Sequence, residues 1–295
     1  MSERRRIKFV WAALVAMATA AAAGDGADYA RLLERIAPSV VSLKVILKTE
    51  FNMGDAVQDQ ESVLDARGAL VDSSGLVLIW NSQLSANRLM ETVEQMGNGE
   101  DFKLKITPTD FRVTIDGEAT ERRAFLAASD SDLDLAFLQI DPPPDRPLPA
   151  IGFGGAHPLA VGDTVVGVSR LSPGFDRAAF FETARIAGEI RKPRRAWVLD
   201  ASPALLGLPV FDLRGEAVGV VATVLSRTAE PASHGGDMMS FFALGKGRME
   251  NGPLGVFLLP AERVAPLVAL AKQRAAEILA ERAASAAPAP PGAGN

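Results

Sequence analysis

Gly68-Ala69-Leu70-Val71-Asp72-Ser73-Ser74-Gly75-Leu76-Val77-Leu78 reads as two β-strands folded about a tight turn. Apolar residues run up to Asp72 and resume at Leu76. Ser73-Ser74-Gly75 between them supplies the small polar residues and the glycine that such turns use. The pattern repeats outward from there. Upstream, Tyr29–Ile36 predicts a short helix with Leu32, Leu33 and Ile36 on one face, ended by Pro38; Ser39–Leu47 is β-rich, and the polar residues 50–62 are expected as a loop. Downstream, Leu84–Met96 predicts a helix closed by Gly97-Asn98-Gly99, and Phe111–Ile115 predicts a strand turning at Asp116-Gly117 into a partner at about 119–127. Another strand follows at Leu135–Ile140. Asp-Pro-Pro-Pro-Asp-Arg-Pro at 141–147 separates two halves. Strands resume at Thr164–Val168, about 178–190, Ala196–Leu199, Leu208–Phe211 and Ala217–Leu225. A loop at 226–252 precedes a strand at Val256–Leu259. Residues 261 to about 282 form an amphipathic pattern with Val264, Leu267, Val268, Ala271 and Ile278 on one side, and the Ala/Pro tail at 283–295 is expected to be disordered. Many short strands followed by one helix is an all-β barrel pattern.

The bulk properties bound the function. Of 295 residues 48% are hydrophobic, ample for a sizeable core. The formal charge of −5 and the lack of a basic stripe argue against nucleic acid; the densest cluster, Arg191, Lys192, Arg194 and Arg195, reads as a solvated strand end. Arg4, Arg5, Arg6 and Lys8 precede an apolar, alanine-rich run from Phe9 to about Ala23. That is the pattern of a secretory signal peptide over 1–23, and it implies a periplasmic or extracellular protein with no stable membrane span after cleavage. Cleavage there would remove four positive charges and one negative one, leaving −8. The chain has no cysteine, which excludes zinc–thiolate sites and cysteine nucleophiles. Two histidines, His157 and His234, are too few for most histidine-based metal sites, so no cofactor or metal is expected.

Five segments come in a telling order: Ile36-Ala37-Pro38-Ser39-Val40-Val41, the hairpin at 68–78, Ser129-Asp130-Ser131-Asp132-Leu133-Asp134-Leu135-Ala136, Val161-Gly162-Asp163-Thr164-Val165-Val166, and Asp212-Leu213-Arg214-Gly215-Glu216-Ala217-Val218-Gly219-Val220. Together they resemble the protease domain of the HtrA/Deg type, a trypsin-like serine protease of the chymotrypsin fold, over about residues 28–270. The resemblance implies two six-stranded antiparallel β-barrels, at about 38–140 and 148–260, with a short N-terminal helix and a longer C-terminal one. No segment resembling the PDZ domain common in that family follows the last helix.

The resemblance also places the family's catalytic positions. Its Thr-Asn-x-His, which carries the general base, falls on Ile79-Trp80-Asn81-Ser82, so the histidine position is Ser82. A serine hydroxyl cannot accept a proton near neutral pH. The aspartate position is kept as Asp134, which is expected to hydrogen-bond Ser82 or backbone amides. In Asp200-Ala201-Ser202-Pro203-Ala204-Leu205-Leu206-Gly207-Leu208-Pro209-Val210 the nucleophile position falls on Leu206, and the glycine of the oxyanion hole is Ala204. Leucine has no proton to lose and no lone pair to attack with. Residues 200–203 are also about two residues short of the family spacing.

The implied function is therefore a pseudo-protease, an exported module that binds a peptide or protein without cleaving it. Two alternatives remain: a hydrolase using relocated residues, with Ser82, Ser85, Ser202 and His234 as the groups available, and an architectural subunit of an envelope complex. Asp130, Asp132 and Asp134 lack the spacing of a calcium loop, and His157 reads as a surface turn. The Met238-Met239-Ser240-Phe241-Phe242 run reads either as an adaptable contact surface or as a loop packing its own side chains.

Overall fold

The computed structural model describes residues 26–53, 56–85, 102–118, 120–155, 158–192, 194–200, 202–225 and 254–286. A helix, α1 (residues 26–36), runs into a 3-10 turn at Ala37–Ser39. Strands β1 (Val40–Met53), β2 (Ala56–Asp72), β3 (Leu76–Trp80), β4 (Phe102–Thr114), β5 (Arg122–Asp130) and β6 (Leu135–Ile140) close one barrel in the order β1-β2-β3-β6-β5-β4. Strands β7 (Thr164–Arg170), β8 (Ala179–Ile190), β9 (Ala196–Leu199), β10 (Pro209–Phe211), β11 (Ala217–Leu225) and β12 (Leu254–Pro260) close a second, in the order β10-β11-β12-β9-β8-β7. All pairings are antiparallel. A long helix, α2 (Ala261–Ala286), follows. The expected fold class is the observed one. Among the described residues, no helix is long and apolar enough to cross a membrane.

Strand β3 shows how the two barrels share a core. Side chains alternate across a strand. Val77 and Ile79 fill the first barrel, whereas Leu76 and Leu78 join the layer between the barrels with Val166, Val168, Leu208, Phe211 and the inner face of α2. A strand covered on both faces is apolar throughout, and all four residues are fully buried. The second barrel has its own filling, including Val165, Ile186, Trp197, Val210 and Leu258.

Polar links reinforce the junction. Arg170, at the end of β7, is 6% exposed and donates to the carbonyl oxygens of Val40 (2.6 Å), at the start of β1, and Ala37 (2.7 Å), in the 3-10 turn before it. Its guanidinium also meets Asp116 at 3.0 Å. In return, Arg67 of β2 donates to the Arg170 carbonyl. Helix α2 leaves the second barrel and crosses to the first, where Lys272 donates to Asp72 (2.6 Å) and Arg282 to Asp141 (2.7 Å).

Two expectations are corrected here. Of the expected 50–62 loop, the described residues 50–53 and 56–62 are strand, the outer part of the β1–β2 pairing in register Glu50↔Asp59 and Lys48↔Glu61, with β4 paired along the other side of β1 as far as Met53↔Phe102. Residues 59–62 are exposed, so their polarity marks a solvated strand face. Lys48 lies 2.9 Å from Asp59 and 3.4 Å from Glu50, so opposite charges alternate across the ladder. Helix α2 continues to Ala286, four residues beyond its expected end at about 282, because the alanine-rich segment favours helix. The expected signal peptide, most of the expected 84–96 helix, the 226–252 loop and both histidines lie outside the described residues.

Candidate functional site

Asp134 sits at the junction, in the turn between β5 and β6. Asp130 Oδ1 accepts the Leu133 N–H at 2.7 Å and so fixes that turn. Asp134 itself adopts φ 60, a left-handed conformation that aspartate tolerates better than most residues. This backbone turns its carboxylate inward, where the residue is 0% exposed. A buried carboxylate needs donors, and three side chains supply them. Ser82 Oγ donates to Oδ1 at 2.6 Å, Trp80 Nε1 donates to Oδ2 at 2.6 Å, and Thr223 Oγ1 donates to Oδ2. The Asp134 carbonyl accepts the Asn81 N–H at 3.0 Å. Trp80, Asn81 and Ser82 leave the end of β3, and Thr223 comes from β11, so donors from both barrels converge on one carboxylate.

On the other side of this junction runs the segment from Ser202 to Leu208. Its 3-10 turn, Pro203–Leu205, is closed by the Leu208 N–H donating to the Leu205 carbonyl at 2.9 Å. Gly207 follows at φ +76 and donates to the Val221 carbonyl at 2.7 Å. A Cβ at Gly207 would lie 2.4 Å from the Trp80 backbone nitrogen, so only glycine allows the two segments to meet. The turn drives its leucines inward: Leu205 and Leu208 are fully buried and Leu206 is 8% exposed. Leu205 and Leu206 join the filling of the second barrel, while Leu208 faces the layer between barrels.

Ala204 is engaged at both its polar groups. Its N–H donates to Ser202 Oγ at 3.1 Å, and its carbonyl accepts from Ser169 Oγ at 3.1 Å. The Ser202 N–H donates in turn to Glu182 Oε1 at 2.6 Å. The peptide that the resemblance assigns to the oxyanion hole is thus occupied within its own turn.

Of the residues singled out from sequence, Ser82 and Asp134 are in direct contact. Leu206 is close in chain to the Gly207–Trp80 contact, but its side chain is in the core. Asp130 serves the turn, and Asp132 is exposed. Among the described residues no group of three or more histidine, aspartate or glutamate side chains could hold a metal ion. Sequence reading missed Trp80 and Thr223 as partners of Asp134. Trp80 stands next to the quoted motif and could have been suspected; Thr223 lies 89 residues away in an apolar strand and carries no local signal.

Two closed six-stranded barrels with a buried aspartate where they meet define a protein of the trypsin-like architecture. The model of the trypsin-like peptidase domain family matches residues 68–220, just over half of the chain, and the chain belongs to that family. No curated protein matches it.

Proposed function

We propose that this chain is an exported, HtrA-type pseudo-protease that holds an extended polypeptide without cleaving it. The observation that carries the reading is the burial of Leu206 in the filling of the second barrel, together with an Asp134 that accepts from Ser82, Trp80 and Thr223. Acyl transfer by the serine route needs a hydroxyl nucleophile, a base beside it and a preorganised pair of N–H donors for the developing oxyanion. Leu206 offers no hydroxyl, Ser82 is no base, and the Ala204 N–H is engaged by Ser202. Export rests on the basic and then apolar character of residues 1–23, and the HtrA type on the order of the five segments.

Retention is supported by the edge of β11. Its residues from Ala222 to Leu225 pair with β12, whereas its pairing with β10 begins only at Val220↔Pro209. Among the described residues, the other edge of Thr223–Leu225 has no strand beside it. An extended peptide added to such an edge gains main-chain hydrogen bonds irrespective of sequence. The test is a peptide array probed with the mature chain, with bound peptides recovered and weighed by mass spectrometry. Retained, uncut peptides support the reading. Cleaved peptides, or no binding across the array, overturn it.

A further inference from the structure

A cavity whose lining does not include Asp134 lies where α1 and its 3-10 turn meet the connector between barrels and the β10–β11 turn. Its volume is about 540 Å³, within the range of small-molecule sites. Arg35 and Glu216 both line it. The Arg35 Nη2 donates to the Arg214 carbonyl at 2.8 Å, and the guanidinium makes no other hydrogen bond among the described residues. Among the described residues, Arg35 and Glu216 form no ion pair with each other or with any other group. The Glu216 carboxylate lies against the Gly155 backbone; a Cβ there would stand 2.6 Å from Oε2. Gly152 and Gly154, also on the wall, have nothing within 4 Å of where a Cβ would be, so the wall stays open. Ser39 lines the cavity too. It is 5% exposed, and its hydroxyl makes no hydrogen bond among the described residues. Ile36, Ile151 and Phe211 give an apolar floor.

A cation and an anion that face one cavity without pairing among the described residues, beside a serine hydroxyl open to the same cavity, suit a ligand carrying both charges. Charge-assisted hydrogen bonds are the stronger kind. We propose that this cavity binds a small zwitterion of the amino-acid type, its carboxylate on Arg35, its ammonium on Glu216, and an apolar side chain on the Ile36–Phe211 floor. The Ser39 hydroxyl donates to the carboxylate. The chemistry is shared by a free apolar amino acid and by a short peptide with both ends free. Because α1 leads into the first barrel and the β10–β11 turn belongs to the second, the ligand bridges the two.

Isothermal titration of the mature chain tests this with L-leucine and glycyl-leucine as probes. Leucinamide, which lacks the carboxylate, and N-acetyl-leucine, which lacks the ammonium, are the controls. Saturable binding of leucine or the dipeptide is expected, at least about tenfold weaker for each control. Arg35→Gln and Glu216→Gln should each weaken it by a similar factor. Glu216→Gln is the variant least able to disturb the fold, and circular dichroism checks both. Which probe binds tells a free amino acid from a peptide. No binding of either up to about 50 mM, where even a weak site with a millimolar Kd would be filled, overturns the proposal. So does equal binding of the two controls, or affinity unchanged in both variants.

Discussion

Replacing Leu206 by alanine is the sharpest probe of where the second barrel ends and the candidate site begins. Leu206 is 8% exposed and packs with the filling that includes Val165, Trp197, Val210 and Leu258. Truncation removes three buried carbons. At about 0.8 kcal/mol each, the transfer contribution alone is roughly 2.4 kcal/mol. The cavity left behind adds about 24 cal/mol per Å³ that the surroundings fail to close, so the total should fall at about 3–5 kcal/mol. The closed strands around it leave little room for relaxation, which argues for the upper half. For a domain of this size, the melting temperature should drop by roughly 6–20 °C. Urea unfolding followed by tryptophan fluorescence reports the change directly, since Trp197 lies in the same cluster. The midpoint should move while the slope stays that of the parent, because the native surface is unchanged. A midpoint within error of the parent would mean that the Leu206 side chain lies outside the core, in an open cleft, and the packing argument would be wrong.

Three further outcomes follow from the same geometry. Asp134→Asn should cost about 2 kcal/mol or more in a denaturant titration, since an amide cannot accept from Trp80, Ser82 and Thr223 as a carboxylate does; an unchanged midpoint would remove the network from the account. Ser82→His combined with Leu206→Ser should give no peptidase turnover, because the Ala204 N–H remains on Ser202 Oγ, and one missing oxyanion donor costs about 3–4 kcal/mol of barrier; adding Ala204→Gly and a two-residue insertion in 200–203 should raise activity, and a fully active double variant would refute the reading of that turn. Burial alone would raise the Asp72 carboxyl, but hydrogen bonds from Lys272 and Ser74 outweigh it and hold it below the usual carboxylate range. A group depressed in the folded state stabilises above its unfolded value and loses that contribution as pH falls through its folded value, so the Lys272→Met variant should lose less stability than the parent as pH falls below the ordinary carboxylate range, about 4.

The fold was legible because its evidence is local. The turn at Ser73-Ser74-Gly75, the Asp116-Gly117 turn and the proline-rich break at 141–147 each act within a few residues. Ser82 and Asp134 were legible too, as positions counted from such motifs, and their 2.6 Å contact matches one of the two partnerships expected for Asp134. The polar stretch after Leu47 reads as irregular, whereas β4 supplies the backbone partners that keep β1 extended as far as Met53. Thr223 was invisible because its partnership depends on how two barrels meet. The cavity at Arg35 was invisible for the same reason, since its charged walls are 181 positions apart in the chain.

The central claim is that no serine of this chain is activated for acyl transfer. A fluorophosphonate probe reacts with activated serines and leaves ordinary hydroxyls alone, so labelling of the folded chain, read by intact mass, tests it directly. The account predicts no adduct above that of the heat-denatured chain. A stoichiometric adduct on Ser82, Ser85 or Ser202 that disappears on substitution of that serine by alanine would contradict it and make the chain a hydrolase with relocated groups.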